Sequence, residues 1–594
     1  MIQRLRNLRT QAKSGLPAQI FNLTALHVGE GNYMKNRCII IPIMTVCLGM
    51  QVSVDAADIS QPFAHQELQN QAKEIAKWKA DRESLPRIQV EKAAGEKDIS
   101  SGSLPSAAFY VQEIVLKNVP EELDFLNELL SPYENRNLNL SDIEELVQRL
   151  NKKLQDKGYV TSQVVIPEQN LSKKKLILYC ISGKLRHVVY AKGSENIPWK
   201  NAFPIREGEL LNLRMLEEGL ENIKRVPSLD VSMKILPTNE PGFSDLELTI
   251  HSQKQVHGSL SFDDSGMKET GKDQFTTSLG FDRVFNANDV LYISNTLDTS
   301  RDWNEKGTRS QSFSYSIPHG KDRLTISHSR NRYNQLVPSK PYDFTSSGKS
   351  QTTRFSLEHM ISRSQTERRS VDITVSKRDS HYFINDTEIP VQAMDTSALE
   401  IGFNDRIYFG RNTLYLRAAH KQGMGWFGAQ KENEYPDAPK TRYQMWLFDV
   451  DWYQPFTMGH RPATFSSSLH GQWNTKGNRL YGVDMLSIGN RYTVNGFDGE
   501  YILMGESGWY LRNELASTIP DLHSEFYMGL DVGSVYGVST DTLVGKTIAG
   551  AAIGMRGTFS FGLSYDAFIS RALYKPEGYH TKRWPMGFTL SCKF

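Results

Sequence analysis

From Gln255 to Phe594 the chain alternates apolar and polar residues with a period of two, and that pattern leaves few folds open. Trp446, Phe448, Val450 and Trp452 alternate with Asp449 and Asp451. Phe526, Met528, Leu530 and Val532 alternate with Tyr527, Gly529, Asp531 and Gly533, and Trp584, Met586, Phe588, Leu590, Cys592 and Phe594 alternate with Thr589, Ser591 and Lys593. Successive side chains of a strand point to opposite faces, so each segment has one apolar and one polar face. A soluble sandwich shares this alternation. Aromatics at the ends of the apolar faces, and strands continuing for about 340 residues, favour a transmembrane antiparallel β-barrel instead. At about 9 to 11 residues per membrane strand plus turns, roughly 14 to 18 strands fit. An apolar content of 39% is no obstacle, because only one face meets lipid.

An outer-membrane barrel has to be exported, and the N-terminal region carries an export pattern. Met34-Lys35-Asn36-Arg37 forms a short basic region and Cys38 to Met50 an apolar core too short for a membrane-spanning helix. Val54-Asp55-Ala56 supplies small residues at the positions a signal peptidase reads, so residues 34–56 are expected to be a signal peptide cleaved between Ala56 and Ala57. Residues 1–33, polar and basic, read as an extension from a misassigned start codon. Cys38 and Cys47 leave with the signal. Cys180 and Cys592, one per domain, are expected to be free thiols.

Three further segments follow. Residues 57–84 contain a mostly polar helix, 61–84, whose thin apolar face must rest in a polar cavity, on another domain or in water. Residues 85–107, rich in Gly, Pro and Ser, read as a linker. Residues 108–184 and 185–254 show short strands and amphipathic helices of two small α+β domains. The first has strands at 109–116, 159–166 and 176–181, and a helix capped by Ser141 with Glu144 three residues on. The second has strands at 185–190, 231–236 and 245–250 around a helix over 212–223.

Chemistry is sparsely signalled. With 69 basic and 67 acidic residues and no basic block, nucleic acid is not an expected partner. Gly348-Lys349-Ser350 resembles the end of a phosphate-binding loop, but Asp343 occupies the position of its first glycine. No HExxH or GxSxG occurs, and the 14 histidines lack metal-ligand spacing, so neither an enzyme nor a cofactor is expected. The adjacent acids Asp263 and Asp264 read as a solvated turn.

The segment 486–515, LSIGNRYTVNGFDGEYILMGESGWYLRNEL, is the most distinctive. It is glycine-rich and longer than a hairpin needs, while Tyr492, Val494, Phe497 and Tyr501 suit packing inside a barrel. IGNRYTVNGFDGE resembles the Val-Arg-Gly-Phe/Tyr loop motif of the outer-membrane transporters of two-partner secretion, the haemolysin activation and secretion proteins. GYVTSQVVIPEQNLS at 158–172 resembles the end of their first POTRA domain, Gly529-Leu530-Asp531-Val532-Gly533 their Gly-x-Asp-x-Gly strand, and Phe594 their terminal aromatic.

The resemblance implies an N-terminal plug helix (57–84), a linker, two periplasmic POTRA domains, and a 16-stranded barrel over 255–594 with a pore loop at about 474–507 folded into the lumen. It implies an outer-membrane pore that secretes or activates one large exported protein of haemolysin, adhesin or contact-dependent toxin type. The partners would then be that exoprotein, outer-membrane lipid and, during biogenesis, the barrel-assembly machinery, with the pore a monomer. An assembly factor that inserts other barrels is the alternative within the superfamily. A diffusion porin would lack the periplasmic domains. The residues implied are Val494, Asn495, Gly496 and Phe497 in the loop, Asp531 as its latch, and Phe588, Leu590 and Phe594 as the insertion signal. One position departs from the pattern: Asn495 stands where the family's arginine faces the strand aspartate. Two alternatives follow: Asn495 hydrogen-bonds to Asp531 without the bidentate fork of arginine and holds the loop less firmly, or Arg491, four residues earlier, takes over.

Overall fold

The computed structural model describes residues 73, 108–300, 303, 306–337, 344–432 and 434–594. The expected extension, the signal peptide with its Ala56–Ala57 cleavage point, the 57–84 helix apart from Lys73, and the 85–107 linker lie outside the described residues.

The first domain is a three-stranded sheet in the order Glu113–Lys117, Lys175–Ile181, Gln163–Val165. Helix α1 (Leu140–Asp156) covers it with Ile143, Leu146, Leu150 and Leu154, all buried. That spacing places one side chain per turn on the same face. The helix starts earlier than the Ser141–Glu144 pair suggests. Asn139 accepts from the Asp142 amide and Asp142 caps the Asn139 amide in return, so Ser141 falls inside the first turn. Two expected strands also shrink. The 109–116 segment breaks at Gln112, because Phe109–Val111 pairs with Arg136–Leu138 while Glu113–Lys117 pairs with Lys175–Tyr179. Of 159–166 only Gln163–Val165 is strand, since the Tyr159 amide turns back to the Leu154 carbonyl at 2.8 Å to close α1.

The second domain repeats the plan with a sheet in the order Lys184–Tyr190, Phe243–Ser252, Leu229–Pro237. Helix α2 (Leu213–Lys224), capped by Asn212, buries Leu216, Leu220 and Ile223 against Leu185, Val231, Leu246 and Leu248. The Leu213 amide also donates to the Gly158 carbonyl at 2.8 Å, joining the two domains end to end.

Sixteen antiparallel spanning strands, from Val256–Asp263 to Met586–Lys593, close into a barrel, and the two-residue strand Thr387–Glu388 is added at one loop. The first strand leaves the second domain, so its start is periplasmic and an even count returns Phe594 to that side. The seam is short: Ser259–Asp263 pairs with Thr589–Lys593, and Gly258 and Phe594 exchange backbone hydrogen bonds of 2.9 and 3.0 Å. A Cβ on Gly258 would stand 2.5 Å from the Phe594 ring, so the glycine makes room for the terminal aromatic. The alternation sorts onto the two faces: Leu530 is 59% exposed on the outside, and its neighbour Asp531 is 4% exposed on the inside.

Candidate functional site

The chain between the strands Arg461–Asn474 and Ser507–Ile519 turns into the lumen as a short hairpin, Leu486–Ile488 against Leu503–Gly505. Leu486, Ile488, Val494, Phe497 and Leu503 pack with Tyr510, Val535 and Ile548 of the wall and with Tyr579 of the loop before the last strand. On the opposite wall Val483 joins Tyr333, Tyr382 and Met394. The segment therefore spans the lumen.

At its tip the backbone amide and side-chain amide of Asn495 both donate to Asp531 Oδ2, at 2.9 and 2.8 Å. Arg512, opposite Asp531 on the neighbouring strand, places Nε 3.5 Å from the same oxygen and donates from Nη1 to the Tyr492 carbonyl at 3.2 Å. Gly496 has φ +99°, and a Cβ on Gly550 would sit 1.8 Å from the Asn495 carbonyl oxygen. Glycine at both positions lets loop backbone lie directly on strand backbone. Gly533, in the Gly-x-Asp-x-Gly strand, likewise receives Val494 and Ile488. Phe497 and Tyr501 meet the Tyr579 ring edge to face at 5.2 and 4.9 Å.

Arg491 does not substitute at Asp531. Its Nη2 donates to Asp264, at 2.7 Å to Oδ1 and 3.0 Å to the carbonyl, and its guanidinium lies 5.2 Å from the Phe568 ring centre. Asp263 and Asp264 are accordingly no solvated turn: they are 4% and 5% exposed at the lumenal end of the first strand. Asp264 also accepts the Phe588 amide at 2.9 Å and pairs with Lys272 at 3.0 Å. Asp263 faces Lys73, whose Nζ is 3.4 Å from Oδ2 and 3.2 Å from Ser265 Oγ. Buried carboxylates need such cations, and adjacency in sequence conceals that the two acids serve different ones. Nearer the exterior Glu500 accepts the Lys268 amide at 3.0 Å; burial, then its hydrogen bond with Glu269 and the repulsion of that carboxyl, push it up to about 8.

The periplasmic mouth is closed on one side by α2. Its Glu218 receives Arg368 Nη2 at 2.8 Å, Arg368 Nε at 3.1 Å and Arg363 Nη1 at 2.7 Å. Glu221 takes Arg363 at 2.6 Å and Arg225 at 2.8 Å. Burial alone would raise both carboxyls, but the guanidinium groups around them hold both below the usual range. Asn222 donates to the Gly320 carbonyl in a barrel turn at 2.9 Å. None of these residues was singled out from the sequence. The signal available was three glutamates crowded on one short helix, and arginines flanking the turn at 364–366.

A sixteen-stranded barrel with its lumen crossed by a loop and its mouth carrying paired α+β domains defines an outer-membrane transporter with POTRA domains on the periplasmic side. The model of the haemolysin secretion/activation proteins ShlB/FhaC/HecB matches residues 242–557, that of the ShlB-type POTRA domain 109–183, and a further POTRA model 184–237. The chain belongs to this haemolysin secretion/activation family. It is 35% identical to the outer membrane transporter CdiB-2 of Burkholderia pseudomallei (strain 1026b), over 79% of this chain and 81% of that one. It is 26% identical to the hemolysin transporter protein HpmB of Proteus mirabilis, over 73% and 76%. Among solved structures, CdiB from Escherichia coli superposes with a TM-score of 0.79 at 25% identity, covering 90% of this chain and 99% of that one.

Proposed function

We propose that this pore exports a single large exoprotein, of haemolysin, adhesin or contact-dependent toxin type, captured in the periplasm by the POTRA domains. The segment Val494–Phe497, latched on Asp531, and Lys73 of the expected plug helix leave their lumenal contacts while that chain passes unfolded. The observation that carries this reading is the character of the latch: a loop blocking the lumen whose tip rests on hydrogen bonds to one carboxylate oxygen. The two share one acceptor oxygen, are together worth roughly 1.5–3 kcal/mol and can be exchanged for contacts with a passing chain. The edge strands of the two POTRA sheets, Glu113–Lys117, on which Glu134 accepts the Ile114 amide, and Leu229–Pro237, suit capture of an extended segment by β-augmentation.

No catalytic step and no cofactor enters this scheme, and the transporter acts as a monomer. Phe594, with Leu590 and Phe588 behind it, serves as the signal read by the barrel-assembly machinery during insertion. Deleting the gene and comparing culture supernatant with outer-membrane content tests the reading. Loss of one large secreted protein is expected. Broad loss of other barrels, with secretion intact, would instead make the chain an assembly factor.

A further inference from the structure

The outside of the barrel is not uniform around its circumference. On the strand Asp322–Val337, Leu324 and Ile326 face outward beside Leu357 and Phe355, which in turn stand beside Ile373 and Val375. This is the lipid-facing belt. Further toward the extracellular end the same outward face carries His328, Arg330 and Arg332. Arg332 stands opposite Arg309 on one side and Lys349 on the other, and Lys349 stands opposite His381. One level of four adjacent strands thus presents three permanent cations and a histidine side by side. Arg330 lies one outward position nearer the belt.

Like charges directly opposed on neighbouring strands are destabilising. Among the described residues no carboxylate lies within ion-pair distance of Arg309, Arg330, Arg332 or Lys349. The acids of this wall sit at the end of the row and are taken up there: Glu388 by His381 at 2.6 Å, and Asp379 by His381 at 3.1 Å and Gln351 at 3.0 Å, which leaves the three permanent cations to one another. Aromatic rings support two of the cations, Arg309 over Trp303 at 3.9 Å and Lys349 over Phe383 at 5.0 Å. Elsewhere on the barrel the extracellular strand ends are different. Trp446 and Trp473, opposed and 40% and 55% exposed, form an aromatic girdle there.

We propose that Arg309, Arg330, Arg332 and Lys349 bind the phosphate groups of a phosphorylated glycolipid of the outer leaflet, whose acyl chains lie on the apolar belt below. The continuity of the basic row with the belt selects an amphiphile. The anion relieves the repulsion along the row, and the lipid fixes the depth and orientation of this wall in the membrane. The site is separate from the pore and does not rest on what the pore exports.

The test uses the full chain in detergent micelles with two probes: a bisphosphorylated, acylated glucosamine disaccharide and its dephosphorylated counterpart with the same acyl chains. Binding is read by native mass spectrometry and by fluorescence titration. The wild type is expected to prefer the phosphorylated probe, increasingly so at low salt. R309Q/R332Q/K349Q is expected to bind it on the order of a hundredfold more weakly, each cation near an anionic headgroup being worth roughly a factor of five. R461Q, on another strand, should bind as wild type. If the triple variant fails to fold, R332Q alone carries the test with a loss of roughly fivefold. Equal binding of the two probes, or unchanged binding by the variants, overturns the proposal. Inorganic pyrophosphate binding as tightly as the phosphorylated lipid would also overturn it, by assigning the row to a free anion.

Discussion

Two pieces of this chain dock against the barrel, and they are held in different ways. Helix α2 is joined to the periplasmic mouth by carboxylates that each accept from more than one guanidinium, and Arg368 grips Glu218 through two nitrogens. The tip of the pore loop, at Asn495, is instead joined to the wall by one carboxylate oxygen receiving an amide side chain and a backbone amide, with the loop's own guanidinium pair, Arg491 on Asp264, set back from the tip. Planar, forked ion pairs are directional and strong, whereas amide donors to a carboxylate exchange readily. The comparison separates a joint built to hold the second POTRA domain in place from a contact built to open.

The largest effect tests the joint. Glu218→Ala leaves Arg363 and Arg368 buried with a carboxylate missing, and breaking a buried pair in this way costs about 3–5 kcal/mol. Protease cleavage between the second POTRA domain and the barrel should become fast, with the barrel itself intact. A variant as resistant as wild type would show that the apolar and backbone contacts of α2 suffice. Acid should act in the same direction. Glu218 and Glu221 have folded values below their unfolded ones, so their contribution is present at neutral pH. It is lost as pH falls through the lowered folded values, so the joint should loosen only in acid below the ordinary glutamate value of 4.5.

Asp531→Ala tests the latch and ranks second. It removes the acceptor of both Asn495 donors and the partner of Arg512, at a cost of roughly 1.5–3 kcal/mol. The loop should leave its seat, single-channel conductance should become larger and more variable, and secretion should fall. Unchanged secretion with unchanged conductance would remove Asp531 from the mechanism.

The pH response of the loop should oppose that of the joint. Glu500 has a folded value of about 8 against an ordinary 4.5, first because it is buried and then because it hydrogen-bonds Glu269, so its protonated form favours the docked loop below pH 4.5. That contribution is given up as pH rises through about 8. The loss amounts to one hydrogen bond, about 0.5–1.5 kcal/mol. Conductance of the wild type should rise between pH 5 and pH 9, and Glu500→Gln, which keeps a donor without a charge, should flatten that rise. An equally steep rise in the variant would place the titrating group elsewhere.

The two docked pieces were also unequally legible in the sequence. The barrel could be read because alternation is imposed by lipid on one face alone, and Leu530 and Asp531 fall on the faces their parity gives. The loop could be read as a loop from its glycines and its length. Its partners could not, because Arg512, Gly550 and Tyr579 are brought to it by strand register and lumen geometry, which no local pattern encodes. Asp263 and Asp264 were misread for the same reason: a pair of acids at a strand end looks solvated until the lumen is seen to supply Lys73 and Arg491. The α2 joint was the least legible part, since its glutamates and the barrel arginines Arg363 and Arg368 are more than 100 residues apart, Glu218 and Arg368 by 150.

The smallest expected effect concerns Asn495 itself. Where the family pattern has an arginine facing the strand aspartate, this chain has an amide, yet Asp531 still has a guanidinium beside it, that of Arg512. The cation has been supplied from the wall instead of from the loop. Asn495→Arg would add a second guanidinium to an oxygen that already has one nearby, and repulsion between the two should offset most of the added hydrogen bonding. Secretion should therefore stay intact or rise slightly, within about twofold of wild type, a change of under about 0.5 kcal/mol. In an Arg512→Gln background the same substitution should matter more. Arg512→Gln alone should weaken the latch, and Asn495→Arg should restore it, since either position can present a cation to Asp531. Failure of that rescue would mean that Arg512 acts on the Tyr492 carbonyl, to which it also donates, and not through the aspartate.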